Sequence, residues 1–253
     1  LIIPNITASV HYEKEGGLGL LLARWLDLPE DSFEQFRLLR LSLDARRRKF
    51  SYKMRAEVLF KDAKTAKAVL KSGKATLPSI QKAGSSDHAV LKGLTPGSGI
   101  LNKPPLIVGT GPAGLFAAWL LCQYGFRPIL LERGRRVEQR IRDVRSFEQG
   151  GPFLNESNVL FGEGGAGTFS DGKLTCRTRS PLKQKLLELM VECSAPGEIL
   201  YQSKAHIGTD RLRAVLIHLR RKLTEAGAIV RFESLVEELL LDSVGILGAL
   251  GKV

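Results

Sequence analysis

Six residues, GTGPAG at 109–114, constrain this chain more than any other feature, because of what stands on either side of them. LIVG, following Pro105, reads as a short buried strand. Leu115 to Tyr124 is an apolar helix ended by Gly125, and PILLER then forms a second strand with Glu132 at its end, eighteen residues beyond Gly114. Strand, tight turn, helix and strand make a βαβ unit. In such a unit Gly109 permits the turn and Gly111 lets the backbone approach a pyrophosphate. Gly114, with Ala118 one turn on, lets the helix pack closely on the strand. The helix N-terminus offers free N–H groups and the positive end of its dipole to an anion, and Glu132 can accept hydrogen bonds from ribose hydroxyls. A carboxylate there repels a 2′-phosphate, which disfavours NADP and leaves FAD or NAD; spacing does not separate those two.

Composition decides what surrounds this unit. The 253 residues are 43% hydrophobic and 25% charged, enough for a core and too mixed for a disordered, fibrous or mostly transmembrane chain. The uncharged run from Pro104 to Phe126 has the length of a membrane span, but its glycines and the prolines at 104, 105 and 112 fit the turn instead. Cysteines at 122, 176 and 193 form no CxxC pair, and the 4 histidines form no HxxxH, so neither a disulfide framework nor a metal site is expected. A reducing, cytoplasmic setting follows as the expectation. The net charge of +12 is concentrated in residues 1–103, which hold 18 Lys/Arg against 10 Asp/Glu. Its densest run, Arg46 to Lys49, lies between apolar stretches with only Phe50 and Tyr52 nearby. A solvated turn therefore explains it better than a nucleic-acid patch, and nucleic acid is not the expected partner.

Residues 1–73 read as a small α+β domain: an extended start, a helix over Glu13–Leu26, strands over Phe36–Leu43 and Tyr52–Phe60, and an Ala/Lys-rich helix over Lys61–Lys71. The Ser-, Gly-, Pro- and Lys-rich 74–103 reads as a linker, and 104–253 as the nucleotide-binding domain. Within it helices are expected over Leu182–Cys193 and Arg211–Glu225, the second capped by Thr209 and Asp210. AIVRF, SLVEELLL and VGILGAL follow as strands, the last two as a hairpin.

A second glycine-dense segment, FGEGGAGTFSDGKL at 161–174, costs chain entropy on folding; it reads as a backbone that must pass very close to a flat or anionic ligand, the alternative being a flexible surface loop. PPLIVGTGPAGLFAAWLL, LLERGRRVEQRIRD, SNVLFGEGGAGTFSDGKL and AHIGTDRL with GAIVRFESLVEELL, in that order, closely resemble the FAD-dependent dehydrogenases of bacteria and plastids, which have a glutathione-reductase-like FAD fold. The resemblance covers about 104–241. LLRLSLDARRRKFSYK is similar to the small N-terminal domain of the same proteins. It implies an α/β fold: an incomplete, Rossmann-like three-layer FAD/NAD(P)-binding domain preceded by a small α+β domain.

The resemblance further implies FAD with its pyrophosphate at Gly111, Pro112, Ala113 and Gly114, its ribose at Glu132 and its adenine near Arg133 and the backbone of Val236. Arg140 would pair with the pyrophosphate or stand as an exposed helix arginine. Gly165, Gly167 and Thr168 would line the ribityl and pyrophosphate path, with Ser170, Asp171 and Lys173 nearer the flavin ring. The reaction implied is flavin-borne hydride or electron transfer on an unspecified substrate. NAD(P)H is a plausible donor, although the chain holds no second GxGxxG. Ser194 and Ala205 stand where the family has glycine and proline. The family's closing strand lies beyond Val253, so a fragment with weak or no FAD retention of its own is expected. Cys176 reads as an unpartnered thiol, Cys122 as core, His206 as a structural hydrogen-bonder and His218 as surface; no general base or nucleophile is identified. An RNA-acting flavoprotein and a non-catalytic NAD-binding module remain the alternatives.

Overall fold

The computed structural model describes residues 1–46, 49–78, 103–174, 180, 182–241 and 246–252. The chain divides into two compact units, Leu1–Gly93 with Glu198–Ala205, and Leu94–Gly197 with His206–Val253. The later excursion, 198–205, joins the first unit by backbone bonds from Leu41 N–H to the Tyr201 carbonyl at 2.8 Å and from Ser203 N–H to the Leu41 carbonyl at 2.9 Å. No local pattern in the sequence announces it. Of the expected linker 74–103, residues 79–102 lie outside the described residues.

The first unit is the expected α+β arrangement. Strands β1 (Ile2–Ser9), β2 (Phe33–Asp44) and β3 (Ser51–Phe60) form an antiparallel sheet in the order β1-β3-β2. Along β3, Met54, Ala56, Val58 and Phe60 are buried while Lys53, Arg55 and Leu59 are exposed, the period of two that packs one sheet face. Against it lie Leu22, Ala23 and Leu26 of helix α1 (Gly17–Leu26) and Val69 of helix α2 (Ala63–Lys71). Helix α1 starts four residues later than its apolar pattern suggests because Gly16 and Gly17 have φ of 107° and 73°, outside the helical region.

In the second unit, β4 (Leu106–Val108), β5 (Ile129–Leu131) and β8 (Ile229–Arg231) form a parallel sheet in the order β4-β5-β8, with Leu106, Ile129 and Ile229 in register. Leu130 is completely buried at its centre. Helices α3 (Pro112–Gln123), α4 (Val137–Glu148), α5 (Leu182–Glu192) and α6 (Thr209–Glu225) connect and flank the strands; two-residue strands β6 (Lys173–Leu174) and β7 (Ala205–His206) lie between them in sequence. Helix α6 packs on both α3 and α4 and buries Val215, Leu216, Leu219 and Leu223. The expected capping by Thr209 and Asp210 is not found. Gly208 is the N-cap, and the Thr209 hydroxyl instead donates to the Ser170 carbonyl at 2.7 Å. After β8 comes the anticipated antiparallel hairpin, β9 (Leu235–Leu241) with β10 (Ile246–Lys252).

Candidate functional site

The site is built where β4 ends. Gly109, at φ 93°, donates its N–H to the Leu131 carbonyl at 2.7 Å and turns the chain off the sheet. Gly111 then caps α3 with an ordinary φ of −69°, Pro112 sits in the first turn, and no side chain caps this end. The three glycines are required for three different reasons. A Cβ on Gly109 or Gly111 would meet nothing within 4 Å, whereas one on Gly114 would collide with the Gly109 carbonyl oxygen. Gly109 therefore serves the turn, Gly111 leaves clearance above the helix N-terminus, and Gly114 lets helix and turn touch.

Glu132 closes this corner from β5. Its buried carboxylate accepts from Thr110 N–H and Thr110 Oγ1, both at 2.8 Å, and from Gly134 N–H at 2.9 Å. An ionised carboxylate has about four acceptor sites, so about one stays free for a ligand hydroxyl. The acid that the spacing marks as a ribose partner thus also fastens the glycine turn. Its own backbone leads on: Ser234 donates its N–H to the Glu132 carbonyl at 2.8 Å, bringing the start of β9 alongside.

The second glycine segment folds onto the first. Gly164 donates its N–H to the Thr110 carbonyl at 2.9 Å, and a Cβ on Gly165 would lie 3.8 Å from the Gly111 Cα. Charged side chains hold it there. Arg140 has no exposed surface; its Nε donates to the Asn158 carbonyl at 2.7 Å, and its Nη1 to the carbonyls of Glu163 and Gly165, each at 2.8 Å, and of Gly162 at 3.3 Å. This excludes an exposed helix arginine. Burial pulls the guanidinium down to about 10, against the attraction of Glu132 and Glu163, so it is charged at neutral pH. Glu163 accepts the Val137 N–H at the start of α4 at 2.8 Å and pairs with Arg220 of α6 at 2.5 Å, while Arg220 also binds Glu138. Burial pushes the Glu163 carboxyl up to about 7 against the pull of the Val137 N–H and Arg220. Thr168, fully buried, donates its hydroxyl to the Glu163 carbonyl at 2.9 Å.

Between the two segments lies a cavity of about 300 Å³ whose walls include Gly109, Gly111, Glu132, Arg133, Gly165 and Val236. Six of the residues singled out in the sequence thus converge. Pro112, Ala113 and Gly114 form the helix start beside it, a Cβ on Gly167 would enter open space, and Thr168 and Arg140 stand behind the second segment rather than in its wall. Arg133 is ion-paired to Glu156 and lies 4.1 Å over the ring of Phe161, itself a wall residue. The sequence did not point to Leu160, Phe161 or Ser234 as walls, nor to Glu163 and Arg220 as the pair that fixes the segment.

Farther along, Asp171 and Lys173 form an exposed ion pair at 2.6 Å, and His206 Nε2 bonds to the Asp171 carbonyl, the structural role expected of it. His218 is half-buried rather than on the surface, with Nδ1 3.0 Å from Ser194 Oγ and 3.2 Å from the Cys193 carbonyl. Cys122 is only half-buried on α3, and Cys176 lies outside the described residues. Among the described residues no group of His, Cys, Asp and Glu could hold a metal, and no helix is long and apolar enough to cross a membrane.

Residues 107–163 match the NAD(P)-binding Rossmann-like domain family, a span that runs from the first glycine turn into the second. An uncharacterized protein of Clostridium beijerinckii is 43% identical over 149 residues, 59% of this chain and 28% of that relative, so the chain spans little more than a quarter of it. Among solved structures, THI4 of Thermovibrio ammonificans aligns over 59% of this chain and 47% of its own at 20% identity, with a TM-score of 0.38. The L-amino acid deaminase of Proteus vulgaris aligns over 62% and 46% at 9% identity, with a TM-score of 0.30. Residues 107–163 thus carry a Rossmann-like domain of the NAD(P)-binding kind.

Proposed function

We propose that this chain is the nucleotide-binding part of an FAD-dependent oxidoreductase, and that the cavity between its two glycine segments takes the ADP half of the flavin nucleotide. The observation that carries this reading is the convergence of Gly111 and Gly165, far apart in sequence, on one open space above the uncapped N-terminus of α3. That space suits a diphosphate. Gly111 presents no side chain to it, and the helix end supplies N–H donors and positive potential.

Each wall residue then has a task. Ala113 and Gly114 N–H groups would bind the diphosphate, and Glu132 would accept from one ribose hydroxyl with its remaining lone pair. Arg133, stacked on Phe161 and held by Glu156, would cover the adenine on one side, with the Val236 backbone on the other. The Gly167 backbone would carry the ligand onward, with buried Thr168 supporting it from behind through the Glu163 carbonyl. A bound flavin supplies hydride or electron transfer; the chain supplies orientation and, by burying the diphosphate among amides, affinity.

Equilibrium dialysis of the purified chain against FAD, NAD and NADP tests the reading. Saturable one-to-one uptake of FAD, tighter than NAD and much tighter than NADP, is expected. Preference for NAD would favour a non-catalytic NAD module, and uptake of none of the three would overturn the dinucleotide assignment.

A further inference from the structure

Arg140 does something its position in the sequence does not suggest. It lies on α4 with Val137 and Val144, the buried face of that helix, yet its side chain ends among backbone carbonyls instead of apolar groups. Four carbonyls from Asn158 to Gly165 point at one guanidinium, which stacks 4.8 Å from the Phe169 ring. The peptide unit is planar, so a carbonyl drawn inward turns the following N–H the opposite way. Drawing the Gly165 carbonyl toward Arg140 therefore directs the Ala166 N–H away from it. The segment also carries left-handed glycines at 162, 164 and 165, which have no side chains of their own to hold a shape. An apolar side chain of similar volume would fill the same space without the desolvation cost of a charge, so what the guanidinium uniquely contributes is the planar fork of donors.

We propose that Arg140 is a positioning residue: by holding the carbonyls of Gly162, Glu163 and Gly165 it keeps the second glycine segment against the first at the separation a dinucleotide diphosphate needs. This rests on the dinucleotide reading above. It also differs from a direct charge contact with the phosphates. A lysine there keeps the positive charge but not the fork, so a direct ligand would be partly rescued by R140K and a positioning residue would not.

The test uses the 253-residue chain as wild type, R140K and the nearly isosteric R140M, at a temperature where circular dichroism shows each to be folded. Two quantities are read: the FAD dissociation constant, and amide hydrogen exchange of residues 109–114 and 162–167 without ligand. Both variants should bind FAD about tenfold or more weakly, and exchange should quicken across 162–167 while 109–114 stays unchanged. Loss of folding alone cannot produce that asymmetry. F169L, which removes the stacked ring and keeps the carbonyl bonds, serves as a folded control and should stay within about twofold of wild type on both readouts. Unchanged FAD affinity in folded R140K and R140M would overturn the proposal, as would affinity restored by R140K or unchanged exchange at 162–167. If wild type takes up no FAD, the dinucleotide reading fails by itself, and the exchange of 162–167 still decides whether Arg140 holds the segment.

Discussion

The two glycine segments that face each other across the cavity are held in place by different physics. The first, 109–114, is fixed by backbone geometry: a left-handed Gly109, a helix start at Pro112 and the contact of Gly114 with the Gly109 carbonyl, with Glu132 as its one charged fastening. The second, 162–167, shares one backbone bond with the first, from Gly164 N–H to the Thr110 carbonyl, and is otherwise held by groups from two helices: the Arg140 side chain and the Val137 N–H of α4 and the Arg220 side chain of α6. A turn held by its own backbone tolerates changes of pH and distant substitution. One held by buried charges depends on their ionisation and on two helices staying in place.

The largest expected effect treats both segments alike. Leu130→Ala empties the centre of the strand that carries Glu132 and should cost about 2–5 kcal/mol in thermal or urea unfolding, loosening both glycine segments together. If only one loosened, they would not share the support described here.

Next in size is a pH effect confined to the second segment. The folded-state pKa of Glu163, about 7, is raised above the ordinary value of 4.5, so the native state favours the protonated acid. Its stabilising contribution is fully present below about pH 4.5 and is lost as pH rises through 7, amounting to up to roughly 3 kcal/mol. Wild type should thus lose more stability between pH 5 and pH 8 than Glu163→Gln, with faster exchange at 162–167 and not at 109–114. Identical pH profiles would mean that Arg220 keeps the carboxylate ionised throughout.

Smaller still, Gly114→Ala should destabilise by about 1–3 kcal/mol, because its methyl group meets the Gly109 carbonyl. Gly111→Ala should change stability by no more than about 1 kcal/mol, a cap substitution into open space, and yet weaken FAD uptake more than Gly114→Ala relative to its cost in stability. Equal ratios in the two variants would remove the distinction between packing and clearance.

The same contrast explains what the sequence made legible. The first turn, α3, β5 and Glu132 can be read because strand, glycine spacing, helix and acid are local and periodic, and the β9–β10 hairpin can be read from two apolar runs either side of an Asp-Ser pair. The second segment is recognisable as a close-approach loop, but the side chains that hold it lie 22 to 57 residues away in sequence, and no spacing rule links Gly162 to Arg140 or Glu163 to Arg220. Arg140 itself reads as a phosphate ligand or a surface residue, because nothing in a helical arginine's sequence neighbourhood signals that backbone carbonyls will be its partners. The excursion 198–205 was hidden for a similar reason: its bonds to Leu41 are backbone to backbone and leave no trace in side-chain pattern.

The central claim is that both segments grip one dinucleotide. A crystal structure of the chain soaked with FAD tests it most directly. The account predicts a diphosphate within hydrogen-bonding distance of the Ala113 and Gly114 amides with the Gly165–Gly167 backbone against its other side. A nucleotide that touches one segment and leaves the other in solvent, or that binds outside the cavity, would contradict it.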